Sequence, residues 1–195
     1  MLRSVARWIL RVGGWTPVGG IPEDPKAVFI AAPHTSNWDG LWALAYKVAF
    51  DLEVHFFAKH SLFWFPLGNV LRALGGIDLD RAKAGTAVDE AIRLFENEEQ
   101  LYFGLAPEGT RKKTEGWKTG FYRIAVAADV PIILGHFDYA KREIGITRLL
   151  PLTGDRDADL DAIREYYASH GSARHPEKVG PIRFRDDPPP GRTPS

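Results

Sequence analysis

The sequence contains no cysteine among its 195 residues. This absence excludes a disulfide framework, thiol catalysis and cysteine-ligated zinc, and it is compatible with a cytoplasmic protein. An excess of either charge is also lacking, because 25 basic side chains balance 25 acidic ones. Proteins that bind nucleic acid usually carry a basic excess, so the charge balance argues against a nucleic-acid partner.

Long apolar runs are absent as well, since no stretch approaches the ~20 residues of a membrane-spanning helix. The opening stretch, MLRSVARWILRVGGW, is too short and too rich in arginine to span a bilayer, and it lacks the features of a signal peptide. As a helix it could lie in a membrane interface or dock on its own domain; we expect docking, because so few turns are a weak signal. Its apolar side carries Leu2, Val5, Trp8, Ile9 and Val12, and its basic side carries Arg3, Arg7 and Arg11.

Apolar strand-like runs alternate with helical patterns along the chain. This alternation predicts an α/β fold, a single-domain sandwich of a largely parallel central sheet flanked by helices. In such sheets the carboxyl ends of the strands carry the functional site. The runs predict strands at 27–32, 53–58, 76–81, 101–106, 131–137 and 142–150, helices at 38–50, 67–74, 86–98, 116–128 and 155–170, and a loop at 13–26.

Two of the strand-like runs end in Ala-Pro followed by polar residues. The first gives AAPHTSNWDG, in which His34 precedes Asp39. Histidine suits general-base catalysis near neutral pH, and a carboxylate on its other ring nitrogen would fix the tautomer. On one continuous helix the two side chains would point ~140° apart, so they can meet only if a cap at Ser36 or Asn37 separates them. The alternative is that Asp39 only favours the helix N-terminus.

The second of these corners reads APEGTRKK and begins its polar part at Glu108. Gly109 would let the backbone approach a ligand, Thr110 offers a hydroxyl, and Arg111 can bind a phosphate through two parallel donors. Arg81, in GIDLDR, is a candidate second cation for a doubly charged group. The plainer alternatives are a solvated basic turn for the loop and a surface ion pair for Arg81.

The segment HSLFWFPLGNVLRALGG is the most apolar part of the chain. It could form core, or it could form a groove or membrane-facing surface for a long acyl chain. We expect core, because a contiguous exposed apolar patch is unusual. The side chains concerned are Leu62, Phe63, Trp64, Phe65, Leu67 and Val70.

These features, in this order, resemble the glycerolipid acyltransferases of the 1-acylglycerol-3-phosphate acyltransferase type. HTSNWD, from His34 to Asp39, matches the His-X4-Asp motif of that family, and EGTR at 108–111 matches its third motif letter for letter. GGIDLDR at 75–81 is similar to the second motif, and VPIIL at 130–134 is similar to the fourth. The first and third motifs at this separation are a specific combination, whereas the second and fourth are weak alone.

The resemblance implies a glycerolphosphate-acyltransferase-like fold and three parts of the chain. We expect an amphipathic helix and loop at 1–24, the acyltransferase domain at 25–170, and a partly flexible tail, rich in proline and charge, at 171–195. Pro33 stands where the family often has a polar residue, and Lys112 stands where it often has serine. These departures leave the acceptor substrate open, because loops around a site read the substrate.

The resemblance also implies a mechanism. His34 would be the base that deprotonates an acceptor hydroxyl, and Asp39 would orient it. The hydroxyl oxygen would attack the thioester of an acyl-CoA or acyl-carrier-protein donor, without a cofactor, a metal or a covalent enzyme intermediate. The acceptor head group, that of a lysolipid, would be held by Glu108, Gly109, Thr110 and Arg111, with Arg81.

Three rivals remain. A hydrolase could use the same base on water, a lipid-binding protein could keep the fold without catalysis, and a related enzyme could use glycerol phosphate, an amino-acid lipid or a glycolipid as acceptor. In each case acyl chains imply membrane contact, and we expect a cytoplasmic protein that binds the inner face of the membrane peripherally. The candidate contacts are the N-terminal helix and the stretch Phe63, Trp64, Phe65.

Overall fold

The computed structural model describes residues 1–20, 22–79 and 84–186, and within these ranges a single seven-stranded sheet is flanked by helices. The strands are β1 Thr16–Gly19, β2 Lys26–Ala32, β3 Val54–Lys59, β4 Gly76–Leu79, β5 Leu101–Leu105, β6 Ile132–Asp138 and β7 Glu143–Leu150. The α-helices are α1 Leu2–Val12, α2 Asn37–Phe50, α3 Leu67–Ala73, α4 Ala84–Asn97, α5 Gly120–Ala127 and α6 Arg156–Ser169; 3-10 turns lie at His60–Leu62 and Pro176–Lys178.

The strand order is β1-β7-β6-β2-β5-β3-β4, and every pair is parallel except β6 with β7. The predicted α/β sandwich with a largely parallel sheet is therefore confirmed. β2 lies between β5 and β6, so the two Ala-Pro corners follow the carboxyl ends of neighbouring strands, β2 and β5. This is the position at which open α/β sheets build their sites.

Two buried clusters hold the sheet, one on each face. Because successive side chains of a strand point to opposite faces, Val28 and Ile30 of β2 join one cluster with Phe103, whereas Ala27 joins the other with Ile133. The inner strand β6, next to the central strand β2, is buried along its whole length. The strand ends that carry the polar corners are thus fixed by a sheet that is covered on both sides.

The helix α2 begins at the break that the first corner requires. Ser36 is its N-cap, and the side chains of Ser36 and Asp39 form a reciprocal capping box with the backbone. This confirms the predicted cap at Ser36. His34 therefore lies in the loop and Asp39 in the first helical turn, so the helical spacing of ~140° does not separate them.

The prediction of a loop at 13–26 is wrong at Thr16–Gly19, which form edge strand β1 on β7. The sequence shows no clear strand pattern here, because β1 is short and contains Pro17, and within sheets proline is largely confined to edge strands. Gly19 has φ +82°, and a Cβ on it would lie 1.5 Å from the Ile146 carbonyl oxygen. Only glycine fits this close approach.

The helix α1 docks on α2 in the antiparallel direction. Its docked residues are Ala6 and Leu10, the Arg3 guanidinium pairs with Asp51, and Arg7 Nε donates to the Ala49 carbonyl at 3.2 Å. The expected docking is confirmed. The residues of α1 that are buried, Ala6 and Leu10, lie between its apolar side and its basic side. The apolar side stays exposed at Leu2, Val5, Trp8, Ile9 and Val12.

The expectation that the segment around residue 64 forms core is wrong. Trp64 is 60% exposed and Phe65 is 81% exposed, whereas Leu71 of α3 is buried. The segment lies in the turns that follow β3, where only one face of α3 meets the sheet. In the part of the chain that the structure describes, no helix combines the length and apolarity needed to cross a bilayer.

The C-terminal segment, defined here as residues 171–186, packs on the domain. Phe184 is fully buried and forms an isolated bridge with Trp117. This bridge also explains why α5 begins at Gly120 rather than at the expected residue 116, because residues around Trp117 pair with the C-terminal segment instead. The remainder of the predicted tail, 187–195, lies outside the described residues.

Candidate functional site

The first corner brings His34 and Asp39 together. His34 Nδ1 lies 3.3 Å from Asp39 Oδ2, the Asp39 side chain is fully buried, and the His34 side chain is 21% exposed. This separation is at the long end for a hydrogen bond, and catalytic hydrogen bonds commonly tighten only when substrate is bound. The arrangement suits a base whose far ring nitrogen accepts a proton while Asp39 stabilises the resulting imidazolium.

Asp39 is held by several donors besides His34. Its Oδ2 accepts the backbone N–H groups of Thr35 and Ser36, both at 2.8 Å, and its Oδ1 accepts the Tyr139 hydroxyl at 2.6 Å. Burial alone would raise the pKa of Asp39, but the hydrogen bonds from His34, Tyr139 and these amides outweigh it and lower the pKa. The buried carboxylate is therefore charged at neutral pH.

Glu108 joins the second corner to the first. Its Oε1 accepts the His34 backbone N–H at 2.9 Å, and among the described residues its buried Oε2 has no hydrogen-bond partner. Burial raises the pKa of Glu108, although the bond to the His34 amide acts in the opposite direction. Glu108 was expected at the acceptor head group, and its observed contact is with the backbone of the base.

The rest of the EGTR loop is more open. Gly109 has φ +65°, and a Cβ there would lie 2.8 Å from Lys118 Cε, so glycine lets the turn form beside this lysine. Thr110 is partly exposed and Arg111 is exposed. Arg111 makes no ion pair or hydrogen bond within the described ranges, so its guanidinium is available to a ligand. The fifth expected head-group residue, Arg81, lies outside the described residues.

The C-terminal segment contacts both corners, which the sequence patterns did not predict. The His175 N–H donates to Thr35 Oγ1 at 3.3 Å, and Arg185 Nη2 donates to the Glu108 carbonyl at 3.2 Å. Lys178 lines a cavity of about 90 Å³ together with His34 and Glu108. The one sequence signal for this packing was the apolar stretch around Phe184 within charged surroundings.

No group of three His, Asp or Glu side chains in the described part of the chain is arranged to hold a metal ion. The observed polar groups are the pair of His34 and Asp39 and, beside it, the EGTR loop, in which the Thr110 Oγ1 accepts the Lys112 N–H at 3.3 Å and Arg111 is exposed.

Comparison with known proteins decides the family, because residues 19–133 match the family model described as Acyltransferase. The chain belongs to the acyltransferase family. The resemblance drawn from the motifs at His34–Asp39 and 108–111 is thereby confirmed at the level of the family.

Similar acyltransferases share part of their length with this chain. A 1-acyl-sn-glycerol-3-phosphate acyltransferase of Haemophilus influenzae is 34% identical over 146 residues, which are 66% of this chain and 58% of that protein. A protein of the same name from Salmonella typhimurium is 28% identical, over 80% of this chain and 68% of its own length. The protein of that name from Escherichia coli is 31% identical, over 64% of this chain and 51% of its own length. The chain thus spans little more than half of some of these relatives.

The fold is shared with a solved acyltransferase. The crystal structure of the 1-acyl-sn-glycerophosphate (LPA) acyltransferase PlsC from Thermotoga maritima superposes with a TM-score of 0.63, covering 88% of this chain and 80% of that one. The sequence identity is 21%, so this likeness supports the fold of the acyltransferase domain and no finer detail.

Proposed function

We propose that the chain transfers a fatty acyl group from an acyl thioester to the hydroxyl of a lysophospholipid or related glycerolipid, with 1-acylglycerol-3-phosphate as the first candidate acceptor. The observation that carries the proposal is the partly exposed His34 against buried Asp39, beside the EGTR loop. The names of the similar proteins point to the same reaction in phospholipid biosynthesis.

The site supports a direct transfer. His34 takes the proton of the acceptor hydroxyl, and the hydroxyl oxygen attacks the thioester carbonyl to give a tetrahedral oxyanion. When this collapses, the carbon–sulfur bond breaks, the ester remains on the acceptor, and His34 returns the proton to the departing thiolate. Asp39 stays ionised throughout and stabilises the intermediate imidazolium.

A panel of acceptors and donors tests the proposed reaction. The intact protein is incubated with labelled acyl-CoA or acyl-acyl-carrier-protein and with lysophosphatidate, glycerol phosphate, an amino-acid lysolipid or a glycolipid. We expect ester product with lysophosphatidate and little release of free acid without acceptor. Acyl release at full rate without any acceptor would replace the transferase by a thioesterase, and binding of lysolipid without turnover would replace it by a lipid-binding protein.

Arg111 is proposed to bind the phosphate of the acceptor, because its guanidinium is exposed beside Thr110 and unpaired within the described ranges. Arg111→Ala should raise the KM for lysophosphatidate about tenfold or more, since a charge-assisted hydrogen bond contributes about 1.5–3 kcal/mol. It should leave the KM for the acyl donor nearly unchanged. The measurement is steady-state kinetics with either substrate varied.

Arg123→Ala is the matched control, because Arg123 is an exposed arginine on α5 outside the site. It should leave both KM values as in the wild type. An Arg111→Ala enzyme with unchanged KM and rate for lysophosphatidate would remove Arg111 from the phosphate site.

Peripheral contact with the cytoplasmic face of the membrane is also part of the proposal. The apolar side of α1 is exposed along the helix, with Trp8 62% and Val12 66% exposed. Because α1 runs antiparallel to α2, the C-terminal end of α1, near Gly13, lies against Trp42 of α2. Trp42 in turn stacks on the exposed Trp38, with 6.0 Å between the ring centroids. Trp38 immediately precedes Asp39, so this exposed surface leads to the base. Arg11, which is exposed in the last turn of α1, adds positive charge that anionic lipids attract.

A vesicle assay tests this surface. Trp8→Ser combined with Val12→Ser should weaken binding to phosphatidylglycerol-containing vesicles about tenfold or more, because a buried apolar side chain contributes about 1.5–3 kcal/mol. The assay is vesicle sedimentation at fixed salt. Val126→Ser, on α5 at 52% exposure, is the control and should bind as the wild type does. Equal binding of all three proteins would show that α1 is not the contact.

A further inference from the structure

Tyr139 reaches Asp39 from a distant part of the chain. It directly follows β6, and its hydroxyl donates to Asp39 Oδ1 at 2.6 Å across 100 residues of sequence. The ring packs edge-on against Trp15, with 4.9 Å between centroids, and the Tyr139 N–H donates to the Ser172 carbonyl at 3.0 Å. Ring and backbone are therefore both fixed, so the hydroxyl presents a stationary donor.

The two oxygens of Asp39 have different partners. Oδ2 faces His34 Nδ1 and the two loop amides, whereas Oδ1 accepts from Tyr139. The terminal torsion of an aspartate is broad, so the carboxylate needs partners on both oxygens to hold one rotation. A hydroxyl donating to a carboxylate at this distance is a strong, charge-assisted bond. Tyr139 is thus the group that fixes the side of Asp39 that faces away from the base.

Arg174, from the C-terminal segment, supports Tyr139. Its guanidinium lies beside the Tyr139 hydroxyl and 5.4 Å over the Trp38 ring. Burial, and after it the hydrogen bond to Asp39, raise the pKa of Tyr139 far above neutral, while Arg174 opposes this shift. The hydroxyl accordingly remains protonated, and remains a donor, over the working pH range.

We propose that Tyr139, supported by Arg174, is a positioning residue: it holds Asp39 so that Oδ2 receives the Nδ1 proton of His34, which leaves Nε2 as the nitrogen that takes the proton of the acceptor. The catalytic role of Tyr139 rests on the proposed acyl transfer. The tautomer assigned to His34 rests on the geometry alone. Tyr139 acts through Asp39 and touches no reacting atom.

The test is Tyr139→Phe in the intact protein, because phenylalanine keeps the ring against Trp15 and removes only the hydroxyl. Ring 15N chemical shifts of His34, assigned with His34→Gln, report which nitrogen carries the proton. In the wild type we expect the Nδ1–H tautomer, and in the variant a mixture. Acyl transfer should lose about tenfold in kcat with little change in the KM of the donor, since a positioned general base contributes about 10²–10⁴-fold in all.

Tyr122→Phe is the matched control, since the Tyr122 hydroxyl donates to buried Asp159 at 2.9 Å without touching the site. It should keep the tautomer and the kcat of the wild type. If Tyr139→Phe does not fold, Arg174→Gln at the exposed Arg174 replaces it, with the same direction of change and a two- to threefold loss of kcat.

A folded Tyr139→Phe protein in which His34 keeps the single Nδ1–H tautomer overturns the proposal, whether kcat is unchanged or falls. The same result with Arg174→Gln overturns it where only that variant folds. A wild type that transfers no acyl group defeats the proposed function instead, and the 15N comparison still decides the role of Tyr139.

Discussion

His34→Ala is expected to lower acyl transfer about 10²–10⁴-fold, which is the usual contribution of a positioned general base. Without the imidazole, the acceptor hydroxyl must lose its proton to water while it attacks the thioester. The KM values should change little, because the proposed binding groups lie on the EGTR loop. The measurement is transfer from a labelled acyl thioester to lysophosphatidate, with circular dichroism to show that the variant is folded.

The chain offers a matched control for this experiment. His60 also pairs with a carboxylate, Asp78, at 2.8 Å, but its side chain is 78% exposed at the end of β3. His60→Ala should leave the rate as in the wild type. A folded His34→Ala protein that keeps most of the turnover would show that the reaction does not use this base.

Asp39→Asn is expected to reduce kcat by about 10²–10⁴-fold through the tautomer of His34, as loss of the orienting carboxylate does in comparable sites. An asparagine must present either its oxygen or its NH₂ group to His34 Nδ1. Its oxygen is needed by the amides of Thr35 and Ser36. With its oxygen in the Oδ2 position, asparagine still accepts from these amides and from His34, but its NH₂ group then faces the Tyr139 hydroxyl, which loses its acceptor. With its NH₂ group in the Oδ2 position, both amides and His34 lose theirs. In either rotation the negative charge that stabilises the imidazolium is gone.

The same substitution should lower the free energy of unfolding by about 1–3 kcal/mol at neutral pH, because buried donors lose a charged acceptor. Since folding lowers the pKa of Asp39, its ionisation stabilises the wild type above the ordinary aspartate pKa of about 3.9. That stability is lost as the pH falls through the lower pKa of the folded state. The difference between the two proteins should therefore shrink in acid, which urea unfolding at several pH values would show.

Asp159→Asn provides the comparison for Asp39→Asn. Asp159 is buried in the first turn of α6, where it accepts the Tyr122 hydroxyl and the Thr153 amide, so it has similar partners in another place. This variant should lose stability and keep kcat. If both variants lose stability and both keep kcat, Asp39 is only a helix-capping residue.

The parts of the site that could be predicted from the sequence are those encoded within a few residues. Ser36, at the start of α2, determines where the helix begins, and this alone brings His34 and Asp39 together. The residues between His34 and Asp39 are therefore enough to predict that these two side chains meet. The EGTR loop is equally local, because a strand, a proline and a glycine with positive φ define it.

The remaining features depend on contacts between distant segments, which no periodicity encodes. Tyr139 meets Asp39 only because β6 and β2 are neighbours, and Arg185 meets the Glu108 carbonyl only because Phe184 is buried beside Trp117. Exposure is equally nonlocal: Trp64 and Phe65 are as apolar as core residues, and only the position of the turns after β3 leaves them at the surface.

The C-terminal segment has a consequence for the time at which the site is completed during synthesis. His34, Asp39, Glu108 and Tyr139 all precede His175 and Arg185 in the order of synthesis, yet His175 and Arg185 contact the two corners. The groups of the base are therefore synthesised before the segment that contacts both corners, and these contacts can all form only once Arg185 has been added.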